Sequence, residues 1–420
     1  MLAHFKTTFR QANVRRLYIG DFSFFLSFWI VYINLSWLTY NLTRSSFELG
    51  LLGFVMNISL PFILPFSGLL ADAFDKRKIL LTTQSCFLLV IIILLIITIV
   101  GKLNFPIIFV CSFLFGAIFA SGFPATSSFV NDLVTEQADI QRAVGAIQTN
   151  SRTAQMLASA INGALHLIFS TAAVFGVVLL FVVNALWSFF RIDKHSQRID
   201  WRTRHPLLVL KEGFSYTFSS IPMTLTVIFA LFTIDFGNVY LFQLPNFVAK
   251  SLHGNIHTLS YIYIAGGFGA IMGAVINSSR KSPHGLMRFA CLILGSFAIA
   301  LSIFAFSKFL ILSLIAAFTI GFSEVVAGAA CVATLQLLAE PDKRGRVMGV
   351  YGFVVFGFIP FMNLLVGAIA KQFGIVITIT SLACISFSYA IFYLIFLPKL
   401  RQRLQDTYRA QAVTVDNQPI

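Results

Sequence analysis

The chain has 420 residues, of which 58% are hydrophobic and 11% charged. Soluble globular domains carry about 25% charged residues, so that class is excluded. The formal net charge of +14 raises nucleic acid as a partner, but the placement of the basic residues assigns them to a different task.

Twelve apolar runs follow one another, at about 17–40, 49–71, 79–101, 105–130, 143–167, 171–190, 221–242, 258–278, 286–306, 309–336, 347–370 and 374–397, each long enough to cross a bilayer. The predicted fold class is an all-α membrane protein of twelve transmembrane helices. Of the 30 Lys and Arg, 24 lie in or at the edge of the segments on the side of the two termini, 5 lie on the opposite side, and Arg152 lies within a span. This asymmetry follows the positive-inside rule, with both termini cytoplasmic. The basicity thus orients a multi-pass chain in a lipid bilayer and implies no nucleic-acid partner. Cys86, Cys111, Cys291, Cys331 and Cys384 fall inside apolar runs and read as core residues, with no metal site and no disulfide framework.

Four charged groups fall within spans: Asp21, Arg152, Asp235 and Glu324. Each costs about 2.5–3.5 kcal/mol at the centre of a membrane helix, so each needs a reason. Asp21 lies near the start of span 1, either as an interfacial residue paired with Arg15 or Arg16 or as a participant in transport. Between spans 2 and 3 runs the turn Gly68-Leu69-Leu70-Ala71-Asp72-Ala73-Phe74-Asp75-Lys76-Arg77-Lys78. Asp72 ends one helix and Lys76, Arg77 and Lys78 open the next, each against its own helix dipole. Their partners are expected elsewhere: another helix's amino end, a carboxylate or anionic lipid.

Span 5 carries Gln148, Arg152, Gln155, Ser159, Asn162 and His166 at intervals of 4, 3, 4, 3 and 4, which lays them on one helical face. Such a stripe faces other helices or a water-filled cavity, and an arginine near mid-depth favours a cavity or gate over simple interhelical bonding. His166, at the outer end, reads as an interfacial side chain. Asp235 sits inside span 7 with Asn238 one turn further on. Glu324 is central in span 10 between Gly321 and Gly328, which would let another backbone approach. Pro61, Pro65, Pro124, Pro245 and Pro360 mark bends or helix ends. The Phe count of 47 reads as lipid-facing and interhelical bulk.

A basic stretch near Arg191 to Ser220 separates six spans from six. This predicts residues 1–190 as one half, 191–220 as a solvated, lipid-facing linker, 221–397 as the second half and 398–420 as a fraying tail. Gly68-x-x-x-Asp72 with Lys76-Arg77 is echoed by Gly273-x-x-x-Asn277 with Arg280-Lys281 at the equivalent place in the second half.

The Gly68–Leu80 string resembles the loop signature of the major facilitator superfamily, G-x-L-A-D-R-x-G-R-K-x-x-L, with Asp75 at the second glycine. Leu35 to Thr43 with Ser46-Phe47-Glu48-Leu49-Gly50, then Pro124 with Asn131-Asp132-Leu133-Val134, and Arg344-Gly345-Arg346-Val347-Met348 are similar to its branch of enterobactin-type siderophore exporters and macrolide efflux proteins. The resemblance implies two pseudo-symmetric six-helix halves with spans 1, 4, 7 and 10 lining a central cavity. It places Asp235 and Glu324 there and sets Asp72 against the start of span 11, near Gly345 to Gly349, as a cytoplasmic latch. The sequence departs from proton-driven relatives in having Gln155 where the branch has arginine, no glycine-rich signature in span 5 and no basic residue in span 4.

The implied function is a secondary transporter of a bacterial cytoplasmic membrane, exporting a siderophore or hydrophobic antibiotic against proton entry. Importing a siderophore or lysolipid, or serving as a non-transporting receptor on the same fold, are the alternatives. Candidate coupling or substrate residues are Asp235, Glu324, Arg152, Gln148, Gln155, Asn238 and Asp21. The candidate cytoplasmic gate is Gly68, Asp72, Lys76, Arg77, Gly345 and Arg346. No nucleophile–base pair, phosphate loop or metal cluster appears, so no enzyme activity and no cofactor are expected. The partners are a small-molecule substrate, protons and the bilayer, and the chain is expected to act as a monomer.

Overall fold

The computed structural model describes residues 11–134, 137–193, 206–279, 286–340 and 343–416. Every regular element among them is a helix: α1 (Ala12–Thr43), α2 (Ser46–Ala73), α3 (Lys76–Ile99), α4 (Phe105–Leu133), α5 (Gln137–Ile168), α6 (Thr171–Phe190), α7 (Pro206–Ser219), α8 (Ile221–Ala230), α9 (Phe236–Ser251), α10 (Ile256–Ser279), α11 (Leu286–Phe306), α12 (Leu310–Leu338), α13 (Arg344–Phe373) and α14 (Ile375–Asp416). A π-helical turn, Leu231–Asp235, joins α8 to α9, so that the two form one span. Capping residues start several helices: the side chains of Asp75, Asn104, Ser170 and Asn255 accept from backbone N–H groups of the first turn. The helices run past the apolar limits at most ends, because hydropathy marks the part in hydrocarbon and a capped helix extends into the interface. They also continue through Pro124, Pro245 and Pro360.

Eleven helices among the described residues are long and apolar enough to cross a membrane. The twelfth, α5, spans 32 residues but misses that test because of its polar stripe. It is nonetheless packed between α1 and α10 inside the bundle. The spans form two six-helix halves of matching design. Helix α4 and its counterpart α12 begin 205 residues apart (105 and 310) and end 205 apart (133 and 338). Within the first half α2 packs on α4, and α3 on α4 and α6; in the second, α10 packs on α12, and α11 on α12 and α14. The halves meet along α2 with α13 and along α5 with α10, which the same repeat exchanges.

The tightest of these packings have glycine at the contact. A Cβ on Gly116 of α4 would strike the Met56 carbonyl of α2, and one on Gly321 of α12 would strike the Gly266 carbonyl of α10. Bringing backbones this close is how membrane helices gain dispersion energy where lipid supplies no hydrophobic drive. Gly321 therefore admits a neighbouring backbone as the sequence predicted, whereas Gly328 has only the Ile234 side chain at ordinary contact distance.

Two sequence expectations change. The second part of the 191–220 stretch folds as a helix, α7, with one face packed on α13, Glu212 paired to Arg346 at 3.1 Å, and Lys211, Ser215 and Phe218 exposed. Residues 194–205 lie outside the described residues, as do Arg280 and Lys281 of the second-half echo. The tail predicted to fray continues α14 as helix to Asp416.

Packing against backbone cannot relax cheaply, so Gly116→Ala should destabilise the protein by about 1–3 kcal/mol, the usual range for overpacking. Gly176 and Gly295 have open space where a Cβ would sit, and Ala there should stabilise by about 0.5–1 kcal/mol through helix propensity. Thermal unfolding in detergent, followed by tryptophan fluorescence, should show these opposite signs.

Candidate functional site

The centre of the molecule is an ion pair between its halves. Arg152, midway along α5, donates from Nη2 to Glu324 Oε1 at 2.8 Å, and Glu324 lies midway along α12. A second guanidinium nitrogen reaches Gln155 Oε1 at 3.4 Å. The Glu324 side chain is 10% exposed and that of Arg152 31%, so the pair is buried on one side and open to space on the other. Gly237, just beyond the π turn, makes room for the acid: a Cβ there would sit 3.1 Å from Glu324 Oε2. Tyr32 of α1 and Tyr240 of α9 lie within electrostatic reach of Glu324, and Tyr263 of α10 lies within reach of both tyrosines.

Asp235 is separate from this pair. It is 1% exposed, and neither carboxylate oxygen has a hydrogen-bond partner among the described residues. Asn238 is half-buried on the same helix. Asp21 is buried and accepts from Asn150 Nδ2 at 2.9 Å. The expected pairing with Arg16 is not made, because Arg16 donates instead to the Arg191 carbonyl and lies 3.9 Å from Asp193. The Gln148 side chain lies outside the described residues.

Further along the α5 stripe, Ser159 donates to the Gln155 carbonyl of its own helix, whereas Asn162 and His166 bond to another. Asn162 accepts from Asn34 of α1 at 2.5 Å, and His166 Nε2 lies 2.7 Å from Asn34 Oδ1. His166 is therefore a helix-to-helix contact and not merely interfacial. At the same end His257 of α10 meets the Gly163 carbonyl at 3.0 Å. Asn246 donates to Ser46 Oγ at 2.7 Å, Gln243 donates to the Ser46 carbonyl at 3.2 Å, and Gly50 packs against Gly367. These contacts join the two halves at the end opposite the termini. At the end bearing the termini, Gly345, Gly349 and Gly352 of α13 have no described neighbour within 4 Å of where a Cβ would sit. The contacts between the halves shown by the described residues concentrate at the end opposite the termini.

The turn between α2 and α3 explains its own charges. Lys76 opens α3 against the dipole but is buried on Asp132 at the end of α4, with Nζ 2.7 and 2.8 Å from the two oxygens. Asp132 is equally misplaced on its own helix, and each ion corrects the other. Arg77 donates to the carbonyls of Phe189 and Phe190 at the end of α6 and lies over the Phe190 ring. Gly68 and Asp72 are on the helical backbone of α2, and the Asp72 side chain with its expected latch lies outside the described residues.

Reading the phenylalanines as bulk missed an aromatic wall. Phe24, Phe28 and Tyr32 on α1 face Phe115, Phe119 and Phe123 on α4, with Phe28 4.6 Å from Phe115 and 4.8 Å from Phe119 between ring centroids. Tyr32 continues the wall to Phe242 of the other half at 4.7 Å. The signal was in the sequence, as rings at spacing four on both helices mark one face.

Because Arg152–Glu324 and Ser46–Asn246 link the same two halves, losing one should loosen the other. Ser46→Cys with Asn246→Cys should crosslink readily under mild oxidation. Adding Glu324→Gln, which leaves Arg152 unpaired at a cost of about 3–5 kcal/mol, should slow crosslinking severalfold in a gel-shift time course.

A family model described as Major Facilitator Superfamily matches residues 17–362. No curated protein matches the chain in sequence. Among solved structures, the nucleoside transporter NupG is similar at 12% identity with a TM-score of 0.71, covering 92% of this chain and 99% of that one. A single-residue mutant of the same transporter gives 12% and 0.69, over 94% and 100%. The human organic anion transporter MFSD10 (TETRAN) is similar at 13% identity with a TM-score of 0.66, covering 90% and 99%. At these identities the likeness speaks to the fold, and it agrees with the helix repeat and with the family match. The chain belongs to the major facilitator superfamily and is a transporter of that fold.

Proposed function

We propose that this transporter exports a moderately large amphiphilic molecule, a siderophore or a hydrophobic antibiotic, from a bacterial cytoplasm by alternating access coupled to proton entry. The observation that carries the reading is the Arg152–Glu324 pair. It bridges the halves at mid-depth, so opening the closed end requires it to break. Intact, it is held by Coulomb attraction in a poorly hydrated setting. Offering either partner a charged group of the cargo releases it. Asp21, Gln155 and Asn238 would complete the polar lining around this switch, with Gln148 one turn before Arg152 on α5.

The cargo class follows from the surroundings. The packed rings of α1 and α4, of which Phe28, Phe119 and Phe123 are half-buried, give the first half an apolar side, and the ion pair with its tyrosines gives charge and hydroxyls beside it. That combination suits a solute with an apolar body and a polar end. The fold neighbours named above, a nucleoside transporter and an organic anion transporter, also handle organic solutes. The excess of basic residues at the end bearing the termini supports a cytoplasmic placement of that end. That end would then face the cytoplasm, where cargo for export is loaded. Gly68, Asp72, Lys76, Arg77, Gly345 and Arg346 would form the gate there, working as a monomer.

Expression in an efflux-deficient bacterial host, scored for antibiotic tolerance and for siderophore secretion, tests the reading. The wild type should raise one of the two. Arg152→Gln and Glu324→Gln should abolish the gain at equal membrane abundance, as the loss of about 3–5 kcal/mol at a buried pair predicts. A wild type that changes neither readout would sink the proposed function.

A further inference from the structure

The two membrane carboxylates of the second half have different surroundings, and the difference assigns them different tasks. Glu324 has its cation in Arg152 at 2.8 Å. Asp235 has none. Its two oxygens are buried without a hydrogen-bond partner among the described residues.

The groups facing it explain why. The π turn that ends at Asp235 packs on α9, α12, α13 and α14. From α13 the Tyr351 phenol lies within electrostatic reach of Asp235, and Cys331 of α12 shares the surroundings of Tyr351. Glu324 of α12 comes against Gly237, two residues beyond Asp235. From α14 the Tyr389 ring packs on Phe232 with its hydroxyl donating to the Leu225 carbonyl. None of these is a cation, and the basic side chains described on those helices, Lys250 of α9 and Arg344, Arg346 and Lys371 of α13, lie near the helix ends. Nor is there an oxygen cage for a metal ion. Around the π turn, Thr233 donates to the Phe229 and Ala230 carbonyls and Ser386 to the Phe232 carbonyl. No group of metal-ligating residues forms among the described residues. An ionised carboxylate with neither donor nor counter-ion is not sustained at such a place, whereas a neutral carboxylic acid is.

The π turn adds a second observation. Its i→i+5 hydrogen bonding is poorer than that of the helix around it, and such turns recur at functional sites. Here it falls in the middle of a span and carries the acid at its last residue. We propose that Asp235 carries the coupling proton and is loaded in this conformation, while Arg152 and Glu324 remain an ionised pair that acts as the gate. This deepens the proton-coupled reading and rests on it for the word "coupling". The loading itself is measured without any cargo, so it can fail while export holds, or hold while export fails.

Infrared spectroscopy of the full-length protein in lipid nanodiscs reads it directly. At neutral pH the carbonyl stretch of a protonated carboxylic acid should be present in the wild type, lost in Asp235→Asn and kept in Glu324→Gln. Raising the pH should remove the band reversibly. A band that survives to the pH of unfolding would mark a locked structural acid and overturn the carrier role. A band lost in Glu324→Gln but kept in Asp235→Asn would overturn the assignment. Should Asp235→Asn fail to fold, the wild type alone decides. Dicyclohexylcarbodiimide, which reacts with protonated carboxyls in apolar settings, should modify the Asp235 peptide in preference to the Glu324 peptide by mass spectrometry. The reverse preference, or no adduct at Asp235, would overturn the proposal.

Discussion

Arg152 and Glu324 are charges that neither half of the molecule could hold alone. An arginine at mid-depth in α5 is out of place in hydrocarbon, and so is a glutamate at mid-depth in α12. Each becomes tolerable when the other helix is brought up to it, at 2.8 Å. The pair therefore favours docking of the two halves at its own depth, and the hydrogen bonds of Ser46, Asn246 and His257 follow on the closed side. A bond of this kind has two stable outcomes, made or replaced, and little between them. That is the property a two-state gate requires.

The glycine contacts set the frame in which this switch works. Where Gly116 lies on Met56 and Gly321 on Gly266, backbones touch and neither half deforms readily inside itself. Between the halves a Cβ on Gly50 would likewise meet the Gly367 backbone. Stiffness within each half fits a rigid-body rocking motion better than local unfolding. The buried Lys76–Asp132 pair and the grip of Arg77 on α6 reinforce the first half at its terminal end. Misplaced helix-end charges in the signature turn thus serve to bind α3, α4 and α6 together.

The twelve spans could be read from the sequence because hydropathy reports burial in lipid one residue at a time. Even α5 was legible, since its polar residues repeat at helical spacing. The partners of those residues were less so. Nothing in spacing says that Arg152 meets Glu324 and leaves Asp235 alone, because pairing between distant segments depends on how the halves are rotated together. The π turn was invisible for a related reason: Leu231 to Asp235 has the composition of ordinary helix, and only the folded backbone shows the wider turn. The aromatic wall was legible and overlooked, since a chain with 47 Phe makes any ring stripe easy to dismiss. That the basic stretch would end in a helix held on α13 was not legible either, because the Glu212–Arg346 contact joins distant segments.

The repeat also shows where the two halves have diverged. With an offset of 205 residues, Glu324 of α12 corresponds to Phe119 of α4. At one depth, therefore, the first half presents a ring stacked among other rings, and the second presents an acid held by an arginine. Two identical halves would offer a symmetric site, suited to a symmetric solute or to a small ion on the axis. These halves offer apolar surface to one side and charge to the other. Tyr32 stands at the junction: its ring meets Phe242 across the halves, and it lies within electrostatic reach of Glu324. A solute lying across that junction would place its apolar body on α1 and α4 and its polar end against the pair. Contact with the wall alone would leave the gate shut, and contact with the pair alone would forgo the binding energy of the wall. Only a molecule with both parts gains from both, so the divergence of the repeat is itself a reason to expect an amphiphile.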